Sequence, residues 1–322
     1  MTPVATQSSA QVRLAAAAGL ALTLLVTAPT PGSASGLFAH TKSPTAAQTA
    51  AQTTADAASA TAIAAQVSQA LDERRYVDAQ NTLDSATIAG LKSPELTVLR
   101  GNLLLFRGHY ADALEVYRTV ASDPAEKARA LQGEGLAYSL LARSEEAFSA
   151  LKQATALDKT LWMAWNGLGR EYDLRRQWSN AKAAYAAALA APGVNAAIVL
   201  NNRGYSELLQ TQIDAASTDF VAALDRDPGL SAARTNLRIT LAMEGHYARA
   251  SVTGVGDDRA AVLNNVGLAA AMRGDYLQAD KLLNEAIAAK GQYYARAAEN
   301  LQLSHSLADR KDDPSTPPDA TH

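Results

Sequence analysis

Histidines, paired acids and a set of asparagines are the residues of this 322-residue chain best placed to do chemistry. The histidines are His40, His109, His246, His305 and His322. No two flank an acid four residues apart, the arrangement by which one helix face holds zinc. His109 and His246 both stand in Gly-His-Tyr strings, which read as turns. The pairs Glu145–Glu146 and Asp257–Asp258 fall at expected helix starts or turns, where a carboxylate favours the positive end of a helix. Gly133/Gly135 and Gly167/Gly169 have G-x-G spacing but follow no strand, as a phosphate-cradling loop requires. Cysteine is absent, which removes disulfides, thiolate zinc sites and cysteine nucleophiles together. A net charge of −3 leaves no basic excess with which to track nucleic-acid phosphates. No enzymatic centre, metal or cofactor is expected. The asparagines remain. Asn202, Asn236 and Asn265 share one register, Asn166, Asn201 and Asn264 lie one residue earlier in their copies, and Asn300 continues the step. Each primary amide is donor and acceptor at once. A row of them can pair with the N–H and C=O of an extended peptide, or can bond the neighbouring backbone and hold the structure.

The register comes from a repeat. Trp165, Leu168 and Tyr172 recur at three and four residues and so form one stripe of a helix. Trp178, Ala181, Tyr185 and Ala188 form the next. From Ala181, alanines stand at Ala79, Ala113 and Ala147 in steps of 34, and at Ala216, Ala250 and Ala279 in steps of 35, 34 and 29. Three residues before each lies a plug for the helix turn: Tyr76, Tyr110, Ser144, Trp178, Ile213, Tyr247 and Tyr276, of which Ser144 is a poor one. Four after lie Leu83, Tyr117, Leu151, Tyr185, Phe220, Gly254 and Leu283, with Gly254 the exception. In the first helices Gly101, Gly135, Gly169, Gly204 and Gly267 recur, with Val67 and Arg238 in the two other copies. Small residues in these columns let helices approach closely, and the large ones fill the space between hairpins. Gly108, Gly245 and Gly274 are expected in the tight turns, where a positive φ is often needed.

These columns carry the W-x2-L-G-x2-Y…A-x3-aromatic pattern, and from about Thr61 to Leu307 the chain resembles the tetratricopeptide repeat family. The resemblance implies an all-α fold: a right-handed α-solenoid of about seven helix hairpins with a C-terminal capping helix. It also implies that the inner face of the first helices serves as a groove, with Asn166, Asn201, Asn202, Asn236, Asn264 and Asn265 as its amides. The partner would be a protein or an extended peptide segment. The sixth copy is damaged. Its large column falls on Gly254 and its step is five residues short, so its second helix should be short or absent.

Beyond the repeats, Arg13, the apolar run Leu14–Ala28 and the small residues Gly32–Ser35 have the order of a secretory signal peptide. The apolar run is shorter than the roughly 20 residues a bilayer span needs, although an uncleaved anchor is the alternative. The expected organisation is a signal peptide over 1–35, a disordered linker over 36–59, the solenoid over 60–308 and a disordered tail over 309–322. A helix is expected over 293–307, covering the last hairpin.

The strings VLNNRGYSELLQ, LSAARTNLRITLAMEGHY, VLNNVGLAAAMRGDY and QYYARAAENL resemble the TadD-like proteins of bacterial tight-adherence (Flp) pilus assembly, over about residues 198–303. That resemblance implies a periplasmic scaffold for pilus or secretion subunits. TadD-like proteins are typically lipoproteins, and this chain has no cysteine to lipidate, so any membrane association would arise otherwise. The alternative is a general cell-envelope adaptor recruiting cell-wall or outer-membrane biogenesis proteins.

Overall fold

The computed structural model describes residues 46–254, 257–290 and 294–311. The signal-peptide segment, the linker up to residue 45 and the tail from 312 lie outside the described residues. Among the described residues, every regular element is an α-helix. The chain divides into two compact units with the break before Asn195, after a loop containing Pro192 and Gly193. The first unit contains the hairpins α1 (Ala46–Asp72)/α2 (Tyr76–Ile88), α3 (Pro94–Phe106)/α4 (Tyr110–Arg118), α5 (Lys127–Leu140)/α6 (Ser144–Leu157) and α7 (Trp162–Leu174)/α8 (Trp178–Ala190). The second contains α9 (Ala196–Leu209)/α10 (Ile213–Arg226), α11 (Ser231–Met243)/α12 (Tyr247–Ala250), α13 (Arg259–Arg273)/α14 (Tyr276–Lys290) and the single helix α15 (Ala295–Lys311).

The columns read from the sequence become contacts. Ala79, Ala113, Ala147, Ala181, Ala216, Ala250 and Ala279 are all 0% exposed. A Cβ on Gly169 would lie 2.7 Å from the ring of Tyr185, and one on Gly267 would lie 2.8 Å from Leu283, so each first helix presses its glycine onto a large residue of its own second helix. The Tyr117 ring is pressed from both sides, by Gly101 of its own hairpin and Gly133 of the next. Its hydroxyl donates to Asn102 Oδ1 at 2.8 Å, and burial pushes its pKa far up.

The seven turns share one construction. Each places a residue in the left-handed region: Arg74, Gly108, Ala142, Arg176, Thr211, Gly245 and Gly274, with φ between 55° and 89°. The following N–H then bonds back five residues, as His109 to Leu104 O at 2.9 Å and His246 to Leu241 O at 2.8 Å. This is the Schellman closure, which satisfies carbonyls that the helix end leaves open. His109 and His246 are therefore turn residues preceding Tyr110 and Tyr247. Only three of the seven left-handed positions are glycine, so Arg74, Ala142, Arg176 and Thr211 hold a conformation that a Cβ disfavours.

Two ends differ from expectation. Residues 46–59, expected to be disordered linker, are helical as the start of α1. The segment is rich in alanine and lacks glycine and proline, a composition of high helix propensity. Further along the same helix Ala60, Ala64, Val67 and Leu71 are buried. The final helix runs two residues later at its start and four later at its end than expected. Ser304 and His305 fix it to Asp280 of α14, each at 3.0 Å.

Candidate peptide-binding face

In the first unit the amide column begins one repeat earlier than the asparagines. Gln132 of α5 is buried, and its Oε1 accepts from Ala164 N–H in the first turn of α7 at 3.0 Å. It thus caps an orphan donor of the next first helix. Asn166, at the same place in α7, is 8% exposed.

The same unit explains Ser144. Where other repeats carry a large plug, the Ser144 hydroxyl donates to Glu171 Oε2 at 2.6 Å, and Ser139 donates to Oε1 at 2.9 Å. Arg175 completes the site, with Nη1 3.0 Å from Glu171 Oε2, Nη2 donating to Ser144 O, and its guanidinium 4.4 Å over the Phe148 ring. Glu171 is 0% exposed. A carboxylate so buried persists because its charge is paired and its oxygens are bonded. The volume missing at Ser144 is filled by a polar network from the next repeat.

In the second unit the asparagines form two short chains. Asn236 Nδ2 donates to Asn201 Oδ1 at 3.0 Å, and Asn201 Nδ2 donates to Asn202 Oδ1 at 3.2 Å. Asn300 Nδ2 donates to Asn264 Oδ1 at 2.9 Å, and Asn264 Nδ2 to Asn265 Oδ1 at 3.2 Å. Each chain links alternate helices, α11 to α9 and α15 to α13. Asn201, Asn236 and Asn264 are buried, whereas Asn202 and Asn265 are half-buried. The row expected from Asn202 through Asn236 to Asn265 is therefore not formed. Asn236 lies on the buried stripe of α11 with Ala233 and Thr240, at three and four residues, and so turns inward to Asn201.

The sixth repeat is rebuilt by charge. As expected, its second helix is short: α12 has 4 residues. Arg238 occupies the first-helix glycine position, opposite Gly254 in place of a large residue. Its Nη2 reaches Val252 O at 2.7 Å and Asp257 Oδ2 at 2.6 Å, and Gly254 N–H donates to the same carboxylate oxygen at 2.7 Å. The hydrogen bonds from Arg238, then Gly254, hold the Asp257 pKa at about 2, below its ordinary 3.8. Bulk has exchanged sides: arginine enters from the first helix where the second helix no longer supplies a side chain. Asp258 accepts from Ala260 and Ala261 N–H and starts α13. The result is a cleft of about 140 Å³ lined by Thr235, Arg238, Asp257, Asp258, Ala261, Val262 and Asn265. Sequence reasoning passed over Thr235 and Arg238 as site residues, although Arg238 in a glycine column was the available signal.

His40 and His322 lie outside the described residues. Among the described residues, no group of three or more His, Asp or Glu side chains converges as a metal site would, and no helix is long and apolar enough to cross a membrane. The paired glycines of α5 and α7 lie inside helices, and Glu145 and Glu146 stand in the first turn of α6.

No family model matches the chain, and no curated protein sequence matches it. Among solved structures it is similar to the APC/C hetero-tetramer Cut9–Hcn1, with 16% identity over 79% of this chain and 50% of that one, at a TM-score of 0.53. It is also similar to PilW, described as a widely conserved type IV pilus biogenesis factor, with 18% identity over 65% of this chain and 97% of that one, at 0.50. A third is TTC0263, a thermophilic TPR protein of Thermus thermophilus, with 20% identity over 56% and 98%, at 0.49. The first two likenesses show the fold, an all-α helical-repeat solenoid.

Proposed function

We propose that the chain is a protein-interaction scaffold whose first-helix face, in the unit beginning at Asn195, binds an extended peptide. One observation carries this reading: the cleft between α11 and α13 is walled by Thr235, Asn265 and Asp258, with the Arg238–Asp257 pair as a fixed wall. These groups offer donors and acceptors side by side, as an extended backbone or a polar side chain requires. Asn201, Asn236 and Asn264 serve behind them by joining helices, while Asn202 and Asn265 are the half-buried ends of the two chains.

The test separates binding from stability. Peptides selected from a display library on the chain would be titrated against Asn265→Ala and Asn236→Ala. Asn265→Ala should weaken binding about tenfold, through the loss of up to two hydrogen bonds to the peptide, and should lower the melting temperature only through the bond that Asn264 Nδ2 loses. Asn236→Ala should lower the melting temperature and leave low-temperature affinity near that of the unmodified chain. Selected peptides that bind Asn265→Ala as well as they bind the unmodified chain would refute the assignment.

The finer reading is an exported, periplasmic scaffold in pilus or secretion assembly. The N-N-x-G and A-R-x-N-L strings support it, as does the likeness to a protein described as a pilus biogenesis factor. The second reading is a general envelope adaptor; the lack of a cysteine to lipidate sets the chain apart from typical TadD-like lipoproteins. N-terminal sequencing of the envelope-fraction protein should begin at Ser35 or Gly36 under the export reading, and an intact leader in washed membranes would replace it with an anchor. Co-purification with a pilin, secretin or secretion ATPase would decide for pili.

A further inference from the structure

The missing part of α12 has a second consequence, on the opposite side of the hairpin. In a helical-repeat stack, second helices of successive repeats run beside one another. The other second helices of the chain have 9 to 15 residues, and α12 stops after 4. Along α10, Asp214, Ser217, Thr218, Val221, Ala222 and Asp225 form one continuous stripe, at alternating steps of three and one. This stripe lines a cleft of about 490 Å³ that ends at Glu244, where α11 turns into α12. Val221 at its middle is 44% exposed.

We infer that this slot receives a helix of a partner protein, one presenting small apolar residues with lysine or arginine at both ends. The shape is that of a helix seat: one stripe, three turns long, about 16 Å between its terminal carboxylates at 1.5 Å per residue. Its floor is made of short side chains, which allow a second helix to come close. Its charge is one-sided, because Asp214, Asp225 and Glu244 line it and no lysine or arginine does. A basic helix gains from both ends, and an acidic one is repelled. The chain's own terminal segments do not fit this description. Residues 312–322 are acidic and proline-rich, and residues 1–45 carry Arg13 and Lys42 as their permanent cations, 29 residues apart in sequence where Asp214 and Asp225 are 11 apart.

The test uses the full chain and two fluorescein-labelled synthetic helices. Both carry an alanine–leucine stripe. One has lysines spaced as Asp214 is from Asp225, and the other has glutamates in their place. Fluorescence anisotropy should show saturable binding of the lysine helix. Charge reversal, Asp214→Lys with Asp225→Lys, should weaken it by at least about tenfold and create binding of the glutamate helix. Both sites are exposed, so the melting temperature of the reversed variant should match that of the unmodified chain and certify its fold. Asn265→Ala should leave the lysine helix unaffected, so this slot and the first-helix cleft stand or fall separately. The inference is overturned if the lysine helix fails to bind, or binds regardless of charge reversal. It is also overturned if the chain is a dimer that Val221→Glu dissociates, which gives the slot to a second copy. Removal of residues 1–45 raising the affinity for the lysine helix would give it to the chain's own leader instead.

Discussion

Replacing Arg175 should destabilise the first unit far more than a surface arginine would. The Glu171 side chain is 1% exposed, and Arg175, 18% exposed, is its cation. In Arg175→Met the stem remains over Phe148 while the carboxylate stays buried with only the Ser139 and Ser144 hydroxyls for partners. Breaking one side of a buried pair costs about 3–5 kcal/mol. The second carboxylate on Arg175, Glu145, is 88% exposed and its loss adds nothing measurable. Removing both charges, as Glu171→Met with Arg175→Met, avoids the stranded charge. That exchange is often neutral or favourable for a buried pair, less about 1 kcal/mol for each serine bond lost. The double variant should therefore be more stable than Arg175→Met by at least about 1 kcal/mol. Urea unfolding followed by circular dichroism gives the free energies, and hydrogen exchange over residues 127–174 places the loss. A cost below about 1 kcal/mol for Arg175→Met, or a double variant less stable than either single one, would refute the account of Ser144 as a polar substitute for a plug.

Four further outcomes follow from the same contacts. Thr211→Gly and Ala142→Gly should each raise stability by roughly 0.5–1 kcal/mol, visible as an upward shift in melting temperature, since both residues hold a positive φ. Their effects should add, because the sites are far apart in sequence and belong to different units. Ala181→Leu should cost roughly 1–3 kcal/mol by overpacking a fully buried site, whereas Ala183→Leu on the exposed face of α8 should be near neutral in the same melt. Asp257, with its pKa held down, contributes stability that is fully present above pH 3.8 and is lost as pH falls from there through about 2. In Asp257→Asn that acid-dependent step should vanish from a plot of stability against pH, and its persistence would assign the step to another carboxylate.

The repeat was legible because each column is fixed by sterics. Alanine at 0% exposure and glycine beneath an aromatic ring admit few substitutes, so their spacing survives in the sequence. Gly254 and the short step after Ala250 announced the one-turn α12 in the same way. What escaped was local burial and substitution by different chemistry. Asn236 shares the register of Asn202, yet it is buried and bonds Asn201, whereas Asn202 is half-buried. Gln132 stands 34 residues before Asn166 and does related work, but as a glutamine it falls outside the asparagine pattern. The Glu171 network announced itself only negatively, through a serine in an aromatic column. The start of α1 was ambiguous because alanine, threonine and glutamine without large apolar residues serve a solvated chain and a lone helix equally well.

The exchange at Arg238 and Gly254 makes the sixth repeat hard to repair by single steps. A Cβ on Gly204 would already lie 2.9 Å from Phe220, so an arginine in that column has no room against a complete second helix. Lengthening the chain after Ala250 would gain no packed helix while Arg238 stands, and Arg238→Gly alone would release the loop that it holds through Val252 and Asp257. The arginine and the aspartate are thus coupled: substituting either one alone removes the ion pair that closes the loop, so the two can be exchanged only together.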